Sequence, residues 1–407
     1  MTKPRNKVLF HLTICVLSWL ILIKPLIHYM EGFGPLGKAI SEISITDAFY
    51  SKFVKTKPSD DIYIIDIGEL PDNEVRQYVS NFLKEVNIKH QPKVIGVDLY
   101  FDKLFSNTSY DSILQKEISY DNIVRACKLK ELDHIEYISP SELDLRYDFN
   151  NSDGYTNALG GATNHPCVRD YLPQKLIEDK LYNDFSVLVS KKANSKSYNE
   201  YLNDINPLSR KPINYNVSFK NNIIDIKDKS RYSELRDKIV LIGICTYDKK
   251  GTPKFTDDTW YTPLNKLYVG RSQKDMYGIE IKATIISNII NGDFINYSEG
   301  LSKRTNLFIS IIIYFILITL FMKMHESFVF IKVFSQSFGV LFLAMINIII
   351  MSSTSLYIDL TAAIGVMFFA PEIVELIEEI SEKYNLYEVT TKLKSNIYSF
   401  VLSIKNK

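Results

Sequence analysis

Apolar residues are spread unevenly along the chain: one segment at the amino end, three crowded at the carboxyl end, and a long mixed stretch between. Val8–Leu26 is apolar except for His11, Ser18 and Lys24, and it follows a polar tail carrying Lys3, Arg5 and Lys7. That pattern predicts one transmembrane span with its basic flank in the cytoplasm. A cleaved signal peptide is the rival reading, but the best small-x-small site, Gly32–Gly34, lies late. Leu307–Met322, Phe328–Met351 and Leu356–Pro371 are each near the roughly twenty residues a helix needs to cross hydrocarbon. Lys323, His325 and Lys332 cluster at the first turn between them and mark its cytoplasmic side, whereas Ser352–Ser355 is an uncharged turn suited to the outer side. Both termini are then cytoplasmic. Lys303 and Arg304 run against this orientation, weakly, since long translocated domains obey the charge rule poorly. A soluble protein would instead have to bury all four segments as core helices. The predicted organisation is a tail and span over 1–30, an extracytoplasmic domain over 31–304, three spans over 305–371 and a short cytoplasmic helical tail over 372–407.

Within the large domain, Asp61–Ile67, Lys93–Leu99, Asn122–Cys127 and Lys238–Cys245 are short, β-branched and nearly continuously apolar. Such runs suit strands covered on both faces, as in a parallel sheet. Between the first two, Val75, Tyr78, Val79, Phe82 and Val86 recur at helical spacing over Asp72–Val86, so a β-α-β unit with a right-handed crossover is expected. A second helix is predicted over Met276–Asn291, with Ile281, Ile285 and Ile289 on its apolar face and Gly292 placed to cap it. The stretch Ser141–Asp225 has weaker periodicity and reads as an insertion with hairpins. The fold class is therefore α/β with a largely parallel sheet, plus four transmembrane helices.

Charge and cysteines narrow the picture. A formal net charge of +1 gives no basic excess for nucleic acid. Cys15 falls in the first predicted span, leaving Cys127, Cys167 and Cys245 outside, where an oxidising space would permit a disulfide. Cys127 and Cys245 end apolar runs and read most simply as small buried residues, with a bridge from either to Cys167 as the alternative. No Cys/His spacing resembles a zinc site.

The blocks Ile64–Ile67, Val94–Phe101, Asn122–Val124, Gly154–Asn157 through Val168 and Arg169, Ile213–Tyr215, Leu235–Gly243, Thr262–Leu264 and Tyr277–Ile281 with Gly292 and Asp293 follow one another in an order that resembles the type-2 CHASE domain. That domain is the extracytoplasmic sensory module found ahead of bacterial cyclases and kinases. The resemblance covers nearly all of Tyr50–Ile295. It implies one span before the domain and three after, a bacterial inner-membrane location with the domain periplasmic or extracellular, and a sensory rather than enzymatic role. Two features depart from the family pattern: Pro71–Val75 replaces a Trp/Pro/Arg-rich segment, and Lys282 stands where a histidine is often found. No cyclase or kinase domain is read after the last span, so the resemblance implies output through a separate cytoplasmic or membrane protein.

Candidate chemistry gathers at one sheet edge. Asp66 and Asp98 fall at the carboxyl ends of predicted strands, and Asp102, Asp257 and Asp258 fall in loops that could converge there. Ligands of open α/β sheets bind beyond the carboxyl ends of strands. Paired carboxylates could hold Mg²⁺ or Ca²⁺ (Asp66, Asp98 and Asp258 being the metal candidates) or share a proton. The competing reading is that Asp66 and Asp98 accept backbone N–H bonds and fix loops. Trp260, Tyr261, Tyr268 and Tyr277 could line a pocket or simply pack. Gly243–Asp248 lacks the glycine spacing and Lys-Ser/Thr end of a phosphate loop, and no nucleophile elbow appears. Glu372–Tyr387 continues as an amphipathic helix, a seam for a homodimer or an extension along the bilayer, and Lys392, Lys394, Lys405 and Lys407 suit anionic headgroups or a partner. The expected function is a membrane-anchored sensor or adaptor that binds a ligand or protein outside. A docking subunit of a membrane complex and, further off, a metal-dependent hydrolase are the alternatives.

Overall fold

The computed structural model describes residues 54–101, 109–132, 135–139, 152–156, 167–177, 179–255, 258–265, 273–293 and 338–354, with isolated positions beside them such as Asp47, Tyr50 and Ser51. The chain divides into two compact units, one of Ser44–Asn296 and one of Met1–Ile43 with Tyr297–Lys407.

The first unit is built on seven strands: β1 (Ile62–Asp66), β2 (Val94–Val97), β3 (Ile123–Leu132), β4 (Ile135–Ser139), β5 (Asp153–Tyr155), β6 (Ile223–Asp225) and β7 (Ile239–Gly243). Its helices are α1 (Asp72–Lys89), α2 (Ser109–Glu117), α3 (Phe185–Ala193), α4 (Ser195–Asp204) and α5 (Gly278–Asn291). The strands form one sheet in the order β6-β1-β7-β2-β3-β4, with β5 also paired to β3. Every pairing is parallel except that of β3 with β4. The α/β class read from the sequence holds.

The continuous apolar runs are explained by cover on both faces. Ile65, Ile95, Val97, Val240 and Ile242 point to one side, where Val79, Phe82, Leu83 and Val86 of α1 and Leu114 and Ile118 of α2 meet them. Ile62, Ile64, Val94, Ile239 and Leu241 point to the other, against Phe185, Leu188 and Val189 of α3 and Ile279, Ala283 and Ile286 of α5. Each such fully buried side chain contributes roughly 1.5–3 kcal/mol. Gly96 in β2 lets α3 come close: a Cβ there would stand 2.7 Å from the Phe185 ring and 2.8 Å from Leu241. α5 ends at Gly292, whose φ of 66° is the left-handed conformation anticipated for its cap.

The sheet order differs from the simplest reading in one respect. β1 and β2 are not neighbours; β7 lies between them, bonded to both. The middle region does contain a hairpin, Gln174–Ile177 with Lys180–Asn183, but also the helices α3 and α4, which its weak periodicity concealed. α3 is buried on nearly all sides, so it shows no polar face to read. Cys127, Cys167 and Cys245 are all buried and free, and no bridge to Cys167 forms.

In the second unit the described helix α6 spans Val340–Thr354, so the turn expected from Ser352 is helical as far as Thr354. Among the described residues no helix is long and apolar enough to cross a membrane. The predicted spans over 8–26, 307–322 and 356–371 lie outside the described residues or touch them only at isolated positions, as does the amphipathic helix predicted from Glu372.

Candidate functional site

The carboxyl ends of β1, β7 and β2 place Asp66 and Asp98 on either side of the loop that leaves β7. Asp66 is spent on that loop. Its Oδ1 accepts the N–H groups of Gly68 and Cys245, each at 2.9 Å, and its Oδ2 accepts the Thr246 hydroxyl at 2.7 Å. Such bonds stitch the loop after β7 to the end of β1, which is the loop-fixing role.

Asp98 has a different partner. Its N–H continues the ladder to the Ile242 carbonyl at 2.9 Å, while its carboxylate accepts the Lys282 ammonium of α5 at 2.5 Å. Both side chains are withdrawn from solvent, at 4 % and 8 % exposure. A charge this deep on an apolar helix face has to be paired. Lys282 Nζ also lies 5.8 Å from the centroid of the Phe185 ring, at the start of α3.

Asp258 stands at the rim of the same cluster. It has a φ of 54°, and its carbonyl accepts the first N–H of α5, from Gly278, at 2.9 Å. Its carboxylate is tucked against Gly278, where a Cβ would stand 2.6 Å from Oδ1, and it accepts the Trp260 indole N–H at 3.2 Å. Trp260 is held in place by a two-residue ladder of Thr259–Trp260 with Met276–Tyr277. Tyr277 is a core residue, its hydroxyl donating to the Thr246 carbonyl at 2.6 Å, and Tyr261 bridges to Cys167. Of the described aromatic residues, Tyr277 is buried in the core, Tyr261 joins the segment at Cys167 and Trp260 stays at the rim beside Asp258. Asp102, Asp257 and Tyr268 lie outside the described residues.

A fourth group completes the cluster. Asp184 precedes α3 and caps it, Oδ1 accepting the Ser186 N–H at 2.8 Å. It is 1 % exposed, and its Oδ2 makes no hydrogen bond of full geometry, the Ser186 hydroxyl and the Val187 N–H supplying only weak pulls on the carboxylate. Lys282 therefore faces Asp98 directly, with Asp184 and Asp258 within electrostatic reach. The expected trio of Asp66, Asp98 and Asp258 is not drawn together as a donor set, because Asp66 is tied into its own loop and Asp98 to Lys282. Among the described residues no group of three His, Cys, Asp or Glu side chains could hold a metal ion.

A family model described as the CHASE2 domain matches residues 26–322. The chain belongs to the CHASE2 family. Comparison with curated proteins and with solved structures returned no match. CHASE2 domains are extracytoplasmic sensory domains.

The electrostatics of this CHASE2 domain are dominated by burial. Burial pushes the Asp184 carboxyl up to about 7, against the pull of the Ser186 N–H and hydroxyl, the Lys282 ammonium and the Val187 N–H. Glu280, whose carboxylate accepts from the Tyr247 hydroxyl and the Tyr277 N–H, is raised for the same reason, as is Asp275 despite its bonds from Thr262. Asp258 is raised by burial and by the Asp98 charge, with Lys282 opposing. Cys127, Cys167 and Cys245 are all pushed up by burial, which keeps them as inert thiols.

A second group of hydrogen bonds lies at the opposite end of α5. Asn288 exchanges bonds with the backbone of Asn214, its Oδ1 accepting from Asn214 N–H and its Nδ2 donating to Asn214 O, each at 3.0 Å. The Asn214 side chain accepts the Tyr50 hydroxyl at 3.0 Å and donates to the Asp293 carbonyl at 3.0 Å. One asparagine thus ties the segment that enters the domain to the helix that leaves it. A cleft of about 290 Å³ opens beside this junction, lined by Lys57, Asp61, Asn216, Ser287, Asn291 and Asp293 among others. It lies at the amino end of the sheet, away from the edge that strand ends alone would favour.

Sequence reasoning missed Asp184, Lys282 as a site residue, and Asn214. Two signals were available. An Asp just before the apolar run Phe185–Val189 is an N-cap pattern, and a lysine beside Ile281 on a buried helix face needs an acidic partner.

Proposed function

We propose that this CHASE2 protein is a membrane-anchored extracytoplasmic sensor or adaptor, engaging a ligand or protein at the sheet edge around Asp98, Asp258 and Trp260 and acting through a separate partner. The observation that carries the reading is the path of α5. Lys282, one turn into the helix, is bonded to Asp98, and Asn288 near its other end is bonded to Asn214, which also holds Tyr50. A change at the sheet edge thereby reaches both segments through which the chain enters and leaves the domain. Exposed Leu341, Phe342, Met345 and Ile349 on α6 support anchoring, since such a surface is at home against hydrocarbon.

Thermal-shift screening of the purified full chain against small polar molecules and candidate partner proteins tests the proposal. A ligand or partner that raises the melting temperature should also slow amide exchange in α5 and at Asn214. Replacement of Asn214 by Ala should leave binding intact and remove the effect at the junction. If no ligand or partner alters stability, the sensor reading fails.

A docking role within a membrane complex is the second reading. It is favoured by Leu176 and Leu181, which sit opposite each other on the hairpin and are 51 % and 47 % exposed. A stoichiometric partner lost on Leu176→Asp, with no ligand response, would favour it over sensing.

A further inference from the structure

The molecule buries a carboxyl group that neither its loop nor its helix cap explains. Asp184 needs only Oδ1 to cap α3; Oδ2 has no well-formed hydrogen bond, and the residue is 1 % exposed. An unsatisfied buried carboxylate costs on the order of several kcal/mol unless it is protonated, bonded to water or paired. Among the described residues the ammonium that draws on Asp184 is that of Lys282, and Lys282 is already bonded to Asp98. Three carboxylates, those of Asp98, Asp184 and Asp258, thus compete for one ammonium, and three elements meet there: the end of β2, the start of α3 and the first turns of α5.

We infer that this cluster is a proton-binding switch, in which gain or loss of a proton on Asp184 changes the hold of Asp98 on Lys282 and so couples the acidity of the surroundings to α5. The inference rests on the sensor reading above and names the proton as an input to it. With Asp184 protonated, Lys282 belongs to Asp98 alone and α5 is pinned to β2. With Asp184 ionised, the ammonium is shared, and the Asp98 contact loosens. Because α5 also carries Asn288, bonded to Asn214, the loosening is delivered to the junction of the entering and leaving segments.

The other groups facing Asp184 do not compete as titrating sites. Cys127 of β3, Tyr155 of β5, Tyr201 of α4, and Tyr171 in the strand pair with Lys211–Pro212 are all shifted upward by burial and stay neutral across the physiological range. Tyr171 and Tyr201 bond each other, and Tyr155 donates to the Leu172 carbonyl at 2.7 Å. Arg210 is paired with Asp170, and Arg125 with Asp153. Asp184 and the rim carboxylate of Asp258, itself raised by burial, remain as titrating groups, and burial places the titration of Asp184 at about 7, inside the range a bacterium meets outside its membrane.

Infrared difference spectroscopy of the purified full chain detects the carbonyl stretch of a buried protonated carboxyl group directly. We expect such a band to vanish with a midpoint near 7 and to be missing in Asp184→Asn, which keeps the cap and mimics the protonated form. Asp184→Ser, a second cap-competent residue, guards against an effect peculiar to asparagine. Protection of α5 amides against hydrogen exchange should fall through the same midpoint in the wild type and stay at the acid level in Asp184→Asn. Asp98→Asn frees Lys282 for Asp184 and should lower the midpoint, by on the order of one unit; a cap without a switch would not respond. A band that persists unchanged in both Asp184 variants, or α5 protection that ignores the transition, overturns the proton switch. Neither result touches the sensor reading, which stands or falls on the ligand and partner screen.

Discussion

Lys282 and Asp98 form an ion pair at 2.5 Å across 184 positions of sequence, and both side chains are almost wholly withdrawn from water. The pair fastens the helix that leaves the domain to the end of a central strand. Removing one partner leaves the other as an uncompensated buried charge. Lys282→Met should therefore destabilise the domain by about 3–5 kcal/mol. Chemical denaturation of the single variants and of Lys282→Met with Asp98→Asn checks this: the double variant should recover a large part of the loss.

Acidity should stabilise the domain over a defined range. Asp184, Glu280 and Asp275 have native pKa values raised by burial above their unfolded values, Asp184 from 3.8 to about 7. The native state then holds more protons than the unfolded chain between those limits. Their contribution is complete below the unfolded pKa and is lost as pH rises through the native one, with a slope of up to about 1.4 kcal/mol per pH unit for each titrating group. Glu85 and Glu234, lowered by bonds from Lys229 and Arg231, act in the opposite sense below their usual value of 4.5. These two are exposed and weigh little. Melting temperature should peak at mildly acidic pH and decline toward pH 7; a curve that rises steadily to neutrality would contradict the burial argument.

Asp66 should behave as a loop fixture. Asp66→Ala removes the acceptors of Gly68, Cys245 and Thr246 and strands the buried Cys245 N–H, at a cost of about 2–4 kcal/mol. Any ligand or pH response of the folded remainder should survive. If Asp66→Ala instead folds normally and loses that response, Asp66 is a ligand-contacting residue.

The described cysteines should be silent to thiol reagents. Cys127, Cys167 and Cys245 are buried and free, and burial raises Cys167 to about 12. Maleimide labelling with peptide mapping at mildly alkaline pH should find all three unmodified in the native protein and all three modified after unfolding. Protection of a pair that requires a reductant to abolish it would mean a disulfide instead.

Much of the architecture follows from local pattern. Ile62–Asp66, Val94–Val97 and Ile239–Gly243 are strands because β-branched runs of that length, covered on both faces, have no polar side to show. Asp72–Lys89 and Gly278–Asn291 are helices because their apolar residues recur every three or four positions, and Gly292 ends the second for a backbone reason visible in one letter. The ordered blocks led to the family as well. α3 was hidden because its apolar residues, Phe185, Val187, Leu188 and Val189, form one short run, which suits a buried helix and a strand alike.

Pairings across long separations were decided by the tertiary structure alone. Sequence periodicity says that a segment has a buried face and is silent about what it is buried against. Hence β7, lying far along the chain, could be read as a strand but not as the one that separates β1 from β2. For the same reason Asp66 and Asp98, alike at two strand ends, received opposite roles: Asp66 met the N–H groups of its neighbouring loop, and Asp98 met an ammonium from a helix 184 residues away. The charge on Lys282 was legible from the start; the company it keeps depended on how sheet, α3 and α5 close over it.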